Sequence, residues 1–343
     1  MKKYFFKNHH PGFFQRVLFL GLVVITLSGC FKSVVEWYLD ADGDGYSSGT
    51  VYTAVNRPGP DYYLESELTA LLGDCDDNDT TVHPEAEEIC SDGKDNNCDG
   101  TVDCPDNATT IWQPSPGTSW QWQLTEAVDT SFDTVMYDID LFNVSQIEID
   151  ELHADGRKVI CYFSAGSWEN WRSDADQFSM AVLGNTLSGW SDEKWLDIRR
   201  LDVLGPIMKG RFDLAVQKKC DGVEPDNVDA YTNASGFNLS SQDQWNYNVW
   251  LSQQAHSRGL SVGLKNDLDQ VEALISYFDW ALNEQCFEYD ECEKLQPFIE
   301  AGKAVFGVEY ELVLDEFCLE ANKMDFDWLK KNYGLDSYRE SCR

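Results

Sequence analysis

Basic side chains are scarce in this 343-residue chain: 26 Lys and Arg stand against 60 Asp and Glu, a formal net charge of −34. A surface of that sign repels nucleic acid and anionic lipid, which excludes phosphate-backbone binding, and it would attract a cationic polymer. Histidine is rare, five in all, and His83, His153 and His256 do not cluster, so a histidine-based hydrolase or a zinc site is not expected. Eleven cysteines include no Cys-x-x-Cys pair, which argues against cytosolic metal–thiolate chemistry. The apolar run Val17–Leu27 is too short to span a bilayer as a mature helix, which takes about 20 residues. From Phe31 to Cys104 aliphatic residues are few, so that stretch cannot build an apolar core of its own.

The short apolar run gains meaning from its flanks. Lys2, Lys3, Lys7 and Arg16 precede it, and Leu27-Ser28-Gly29-Cys30 follows it. That order reads as a lipoprotein signal peptide over residues 1–29, cut before Cys30 so that the new N-terminal cysteine carries acyl chains. The expected home is extracytoplasmic: the chain is anchored by lipid to the bacterial cell envelope, at the outer membrane or the cell surface, through a tether over residues 30–38. Losing residues 1–29 removes four basic groups and no acid, leaving 22 basic against 60 acidic side chains and a net charge of −38. Setting Cys30 aside leaves ten cysteines in a compartment that allows oxidation, so disulfides are the default.

The mature chain divides by composition. Residues 31–104 hold eighteen Asp and Glu against three Lys and Arg, with four cysteines and many glycines, and must be held by disulfides or metal. Asp40, Asp42 and Asp44 put oxygen ligands at alternate positions, with Gly43 and Gly45 where the chain turns, which is how a calcium loop begins. Asp95, Asn97, Asp99 and Asp103 repeat the scheme around Gly100. Val51 stands where a complete EF-hand after Asp40 would have its bidentate Glu, so neither loop is an EF-hand. The Asp-Gly-Asp-Gly run, Gly73-Asp74-Cys75-Asp76-Asp77 and Asp95-Asn96-Asn97-Cys98-Asp99-Gly100 together resemble the small metal-binding modules of bacterial surface proteins. Hard oxygen donors favour calcium, as a structural ion, over zinc or copper. The organisation is then a metal-binding module over 39–104, a Thr, Pro, Ser and Gly-rich linker over 105–119, and a domain over 120–343, the length of one α/β barrel.

That last domain alternates short apolar runs with helical stretches, the pattern of parallel β/α units. Eight strands are expected: Val135–Phe142, Val159–Ser164, Trp195–Ile198, Asp221–Asp226, Ser261–Asn266, Phe278–Glu284, Ala304–Tyr310 and Phe326–Lys330. A helix over Gln242–Arg258, capped by Ser240 or Ser241 and ended by Gly259, separates the fourth from the fifth. The fold class is α/β, a TIM-like (β/α)8 barrel with a small N-terminal module stabilised by disulfides and metal. Several strands end in polar groups, namely Asp140, Ser164, Asp197, Asp226, Asn266, Glu284 and Glu309, and at the C-terminal mouth of a barrel such residues are candidates for a site.

Five segments carry a resemblance: residues 137–142 (Tyr-Asp-Ile-Asp-Leu-Phe), 161–167 (Cys-Tyr-Phe-Ser-Ala-Gly-Ser), 221–229 (Asp-Gly-Val-Glu-Pro-Asp-Asn-Val-Asp), 263–267 (Gly-Leu-Lys-Asn-Asp) and 283–286 (Asn-Glu-Gln-Cys). They resemble, in order, the signatures of glycoside hydrolase family 114, the endo-α-1,4-polygalactosaminidase type. The resemblance implies a TIM-like barrel that cleaves α-1,4-linked galactosamine and N-acetylgalactosamine chains internally. It also implies Asp226 and Glu284 as the catalytic carboxylates, with no cofactor for catalysis.

Such a pair suits the chemistry, because glycoside cleavage needs one carboxyl group to protonate the leaving oxygen and another to attack or stabilise the anomeric carbon. Strand alternation puts Glu224 and Asp226 on one face, and Trp280, Leu282 and Glu284 on one face two strands away. Asp226 is expected as nucleophile and Glu284 as general acid/base with a raised pKa. A carboxyl separation of about 5–5.5 Å would make the enzyme retaining, the outcome expected here, and roughly 6.5–9.5 Å inverting. Asp140, Asp197 and Glu309 are candidates to hold a sugar's amino group, and Asn266 to contact substrate beside them. Tyr162, Trp168 and Tyr310 would either stack on sugar rings or pack in the core or rim. Lys265 would touch substrate or serve as internal counter-ion for the carboxylates. Cys286 with Cys292 is expected to bridge a loop beside Glu284, Cys318 with Cys342 to staple the C-terminus, and Cys161 with Cys220 to form a third pair. Two other functions fit the same pattern: a catalytically inactive polysaccharide-binding surface lipoprotein, and a hydrolase of another α-linked glycan. A monomer is expected in each case.

Overall fold

The structure, a computed structural model, describes residues 34–86, 94–100 and 111–343. Its larger part is built on eight parallel strands: β1 (Trp120–Gln123), β2 (Met136–Asp140), β3 (Lys158–Ser164), β4 (Gly222–Asp226), β5 (Ser261–Lys265), β6 (Trp280–Glu284), β7 (Val305–Glu309) and β8 (Asp327–Lys330). They pair in that order from β1 to β8, and a two-residue strand β9 (Glu340–Ser341) adds antiparallel to β8. The curled sheet brings β8 round toward β1, where Trp120 Nε1 donates to the Asp327 carbonyl at 2.9 Å and Leu124 N to the Leu335 carbonyl at 2.9 Å.

Seven of the eight expected strands are present in the sheet, and the eighth expectation needs correction. Trp195–Ile198 is not a barrel strand. Trp195 and Leu196 end the strand Trp190–Leu196, which lies in a separate antiparallel sheet with Ser167–Glu169 and Leu183–Leu187, inserted after β3. The strand that completes the set is β1, a four-residue Trp-Gln-Trp-Gln stretch. Helices cover the outside: α1 (Gln146–Ala154), α2 (Leu201–Lys218), α3 (Ser241–His256), α4 (Val271–Leu274), α5 (Gln296–Glu300) and α6 (Leu314–Lys323). Helix α3 begins as its sequence demands, with the Ser240 hydroxyl accepting from Asp243 N and the Asp243 carboxylate accepting from Ser240 N.

Alternation along the strands sorts side chains into two regions. Outward residues such as Tyr137, Ile139, Cys161, Phe163, Val223, Val262 and Leu264 join the helices in one buried apolar cluster. Inward residues fill the barrel in layers: Trp120, Trp280 and Phe306 pack edge-on and tilted at its base, with ring centroids 5.0–5.6 Å apart. Gly263 leaves room for that base, since a Cβ there would lie 2.4 Å from the Trp280 ring. Above them the inward positions turn polar, with Asp138, Glu224 and Lys265 buried. A polar layer at this height prepares the mouth.

The N-terminal module has a three-stranded antiparallel sheet (Val35–Leu39, Val51–Ala54, Tyr62–Tyr63) and a Cys75–Cys98 disulfide. Its loops lie against the barrel near α3, lining a 180 Å³ cavity with Tyr46, Glu85, Trp245 and Tyr277 among the walls. Residues 113–117 also bond to the barrel, Gln113 Nε2 to Asp279 and Gly117 N to Asp327. Disulfides Cys161–Cys220, Cys286–Cys292 and Cys318–Cys342 form as the sequence suggests. No helix among the described residues is long and apolar enough to cross a membrane.

Candidate active site

Asp226 and Glu284 end β4 and β6 and both point inward, two strands apart. Lys265, at the end of the strand between them, is 1 % exposed and sets the geometry. Its ammonium lies 2.7 Å from Glu224 Oε1, 3.2 Å from Asp226 Oδ1 and 3.5 Å from Glu284 Oε2. One cation thus holds three carboxylates. Because Asp226 and Glu284 both reach the same nitrogen, their facing oxygens lie less than about 7 Å apart, within the range of a glycosidase pair. The Lys265 ammonium also sits 4.6 Å over the Trp122 ring, and its neighbours keep its pKa well above the ordinary lysine value despite burial.

Each catalytic candidate is oriented by its own donors. Asp226 accepts from Asn227 N at 2.7 Å and Tyr162 Oη at 3.1 Å. Glu284 accepts from Tyr310 Oη at 2.6 Å and Asn266 Nδ2 at 3.3 Å, and Asn266 Oδ1 in turn accepts from Glu284 N. Gly166 lets these loops meet, since a Cβ there would lie 1.7 Å from the Asn227 carbonyl. The expected rise in the Glu284 pKa is not what the site produces. Burial pulls it upward, but Lys265 first, and then hydrogen bonds from Tyr310 and Asn266, pull it down and favour the ionised carboxylate.

Below the pair lies a second tier. Glu224 Oε2 accepts from Trp122 Nε1 at 3.0 Å while its other oxygen takes Lys265. Burial, opposed by Lys265, raises the Glu224 carboxyl to about 7. Asp138 is wholly buried with no donor to either oxygen, and burial together with the adjoining Glu224 drives its pKa up, so it holds its proton. Neither Asp138 nor Trp122 stands out in sequence, because each reads as an ordinary strand residue until the barrel closes around Lys265.

The pair stands where two cavities meet. One, of 660 Å³, is walled by Trp122, Tyr162, Trp171, Trp190, Tyr310 and Tyr333. The other, of 210 Å³, includes Asp229, Asn266, Asp267, Asp269 and Glu291. Asp226, Asn227, Lys265 and Glu284 line both. Burial and Asp229 push the Asp267 carboxyl to about 8. The result is an acidic groove passing across the two carboxylates, with room for sugar on either side.

The other expected site residues separate clearly. Tyr162, Tyr310, Lys265 and Asn266 are in the groove, Lys265 as the internal counter-ion. Asp140 lines it, but Arg172 holds its carboxylate at 2.7 Å, so it is not free to take an amine. Asp197 is paired with Arg199 at 2.8 Å and lines neither cavity. Glu309 is also outside the groove: it is one residue out of phase with the inward Tyr310, wholly buried, and accepts from Phe287 N at 3.0 Å. Trp168 donates to the Ala175 carbonyl and packs against the apolar cluster. Trp171, Trp190, Glu169 and Glu193 line the groove from the inserted sheet and the loop beside it, a segment whose sequence reads as barrel strand and connection.

In the N-terminal module, Asp40, Asp42 and Asp44 bring carboxylate oxygens within 4.8 Å of one another. Asp40 accepts from Gly43 N and Gly45 N, the turn that the glycines permit. Buried oxygens of Asp42, Asp44 and Asp74 have no hydrogen-bond donor. Burial first, then Asp44 and Asp42, pushes the Asp74 carboxyl to about 7. An all-carboxylate set with unsatisfied oxygens fits a hard divalent cation. The second loop repeats the turn, with Asp99 N and Gly100 N donating to Asp95 and Asp99 N also to Asn97. Asp103 and Cys30 lie outside the described residues.

Comparison with known proteins agrees with this geometry. The profile of glycoside hydrolase family GH114 matches residues 101–343, and that of a metal-binding motif, the Cu-binding MopE type, matches residues 74–111. The crystal structure of Aspergillus fumigatus Ega3 in complex with galactosamine is 41 % identical, with a TM-score of 0.66 over 69 % of this chain and 100 % of that one. The glycoside hydrolase domain of PelA from Pseudomonas aeruginosa is 11 % identical, with a TM-score of 0.53 over 65 % of this chain and 98 % of that one, a likeness of fold alone. No curated protein sequence matches. With two carboxylates facing each other at the mouth of a TIM-like barrel and the family profile spanning that whole domain, the chain belongs to glycoside hydrolase family GH114 and is a glycoside hydrolase.

Proposed function

We propose that this chain cleaves α-1,4-linked galactosamine and N-acetylgalactosamine polysaccharide internally, with retention, using Asp226 as nucleophile and Glu284 as general acid/base. The observation that carries the reading is the Lys265 bridge, which fixes both carboxylates at the junction of two cavities. A polymer threaded through both cavities crosses the pair in mid-chain, which supports internal cleavage. Asp226, fixed by three donors, attacks the anomeric carbon. Glu284 takes up a proton as the sugar displaces water and weakens its hold on Lys265, delivers it to the leaving oxygen, and then activates water. A separation bounded below about 7 Å lies outside most of the inverting range and accommodates the covalent, retaining route. Galactosamine bound to Ega3 supports the substrate class, and so does the acidic lining here.

The test is a reducing-end assay on purified galactosamine polymer. Asp226→Asn and Glu284→Gln, each nearly isosteric, should each lower turnover by roughly a thousandfold or more with unchanged melting temperature. Near wild-type turnover in either variant would sink the assignment. In the same reading the N-terminal module holds structural calcium, and the chain works outside the cytoplasm, lipid-anchored at Cys30. The signal pattern of residues 1–30 and four disulfides among the described residues support this location.

A further inference from the structure

One buried polar side chain reaches the loops behind both carboxylates without entering the groove. Helix α3 follows β4, so its first turns start at the barrel mouth, beside the loops that leave β4 and β5. Asn248, in its second turn, is wholly buried and its amide is fully used. Nδ2 donates to the Val228 carbonyl at 3.0 Å and to Asp267 Oδ2 at 2.8 Å, and Oδ1 accepts from Gln244 Nε2 at 2.9 Å. Val228 lies two residues beyond Asp226. Asp267 follows Asn266, whose side chain bonds both the backbone N–H and the carboxylate of Glu284. A single amide thus spans the two loops that carry donors to the pair. The residue before it, Tyr247, fixes a third loop: its Oη donates to the Ala165 carbonyl at 2.7 Å, and Ala165 N and Gly166 N donate to the Asp226 carbonyl.

Both loops need holding. Asn227, Asn266 and Asp267 have φ values of 62°, 53° and 35°, a left-handed backbone that is costly for any residue but glycine and persists only where contacts enforce it. In those conformations Asn227 N meets Asp226 at 2.7 Å and the Asn266 amide meets Glu284. A side chain that only filled space would not hold them. Two N–H groups diverging from one nitrogen match one acceptor in each loop, whereas a carboxylate in the same place would face the Val228 carbonyl and Asp267 with no proton to give. We propose that Asn248 is a positioning residue of the reaction, clamping the Asp226 loop to the Asn266–Asp267 loop and so keeping the two carboxylates at the separation and orientation that bond cleavage needs. The inference rests on the reading of Asp226 and Glu284 as the catalytic pair. Asn248 lines neither cavity, so it acts through the loops and not on the sugar. A misplacement of about 1 Å costs as much as a hundredfold in rate, while the groove walls that bind the polymer stay where they are.

The test measures kcat and KM separately, from the reducing ends released from galactosamine polymer, with melting temperature beside them. Asn248→Asp keeps the shape and the acceptor for Gln244 and removes both donors, and Asn248→Ala removes the amide and leaves room for water. Leu251→Ala, on the apolar side of the same helix, opens a cavity without removing a hydrogen bond and is the control for lost stability. In each folded Asn248 variant kcat should fall by about tenfold to a hundredfold with KM within about threefold of wild type, while Leu251→Ala, melting as low or lower, keeps kcat near wild type. Wild-type kcat in a folded Asn248→Asp or Asn248→Ala variant overturns the inference, and so does a loss of kcat that Leu251→Ala reproduces at equal melting temperature. Either result leaves the proposed function standing. A wild-type protein inactive on every galactosamine polymer, or one that keeps its turnover in Asp226→Asn or Glu284→Gln, overturns the proposed function, and this inference with it.

Discussion

At the residue scale, the two facing carboxylates differ less in identity than in what surrounds them. Tyr310 Oη, 2.6 Å from Glu284, stabilises the ionised form, and with Lys265 and Asn266 it opposes burial. If Glu284 is the acid, its proton must be present for the first step, so activity falls as pH rises through its pKa in the enzyme–substrate complex. Tyr310→Phe keeps the ring stacked on Tyr333, 4.4 Å away, and removes one hydrogen bond to the charged form. The Glu284 pKa then rises, and the alkaline limb of the pH–kcat profile should move upward by about 0.5–1 unit, as loss of one charge-assisted bond implies. Movement of the acidic limb instead would make Glu284 the nucleophile, because that role needs the carboxylate. Such detail was hidden in the sequence. The place of Asp226 and Glu284 at the barrel mouth was legible from the period-2 pleat, but the pKa direction depends on which hydroxyl and amide close over Glu284. The same pleat shows why Glu309 and Tyr310, adjacent in sequence, could not both face the groove.

At the element scale, the barrel was legible where β/α units are long and regular, and misread at two short stretches. Trp195–Ile198 has the apolar pattern of a buried strand, but it finds its partners in the inserted sheet rather than beside β3. The stretch Trp120–Gln123 interleaves glutamines with its tryptophans and follows a linker-like run, so nothing local marks it as the strand that meets the seam. The consequence is functional: Asp197 reads as a strand-end acid, while Glu193, four residues earlier, is the one that lines the groove. The acidic Asp40–Asp44 loop was legible from spacing alone, but Asp74, thirty residues beyond Asp44 in the chain, comes into its field only through tertiary contact. The three clustered carboxylates, with Asp74 in their field, repel one another until a cation sits among them, so calcium should stabilise the module. Calorimetry of the full chain should show a transition raised by several degrees in millimolar calcium relative to a chelator, and Asp74→Asn should remove most of that rise. Identical melting with and without calcium would leave the module a disulfide-held spacer.

At the scale of the whole molecule, charge and site point to the same substrate. The net charge of −34, together with an acidic groove, produces a field that a polycationic chain feels well before contact. Galactosamine polymer carries an ammonium on each deacetylated sugar near neutral pH, whereas the fully acetylated polymer carries none. Attraction between exposed charges is screened beyond about 10 Å at 0.1 M salt and about 3 Å at 1 M. Hence kcat/KM on the deacetylated polymer should fall steeply as salt rises, by roughly tenfold between 10 mM and 300 mM, while kcat changes little. On acetylated polymer the same series should be nearly flat. A general effect of salt on folding would slow both substrates alike, so the comparison isolates steering. Equal activity on a neutral α-glucan, with the same flat response to salt, would refute the galactosamine assignment and leave Asp226 and Glu284 as the catalytic pair of a different hydrolase.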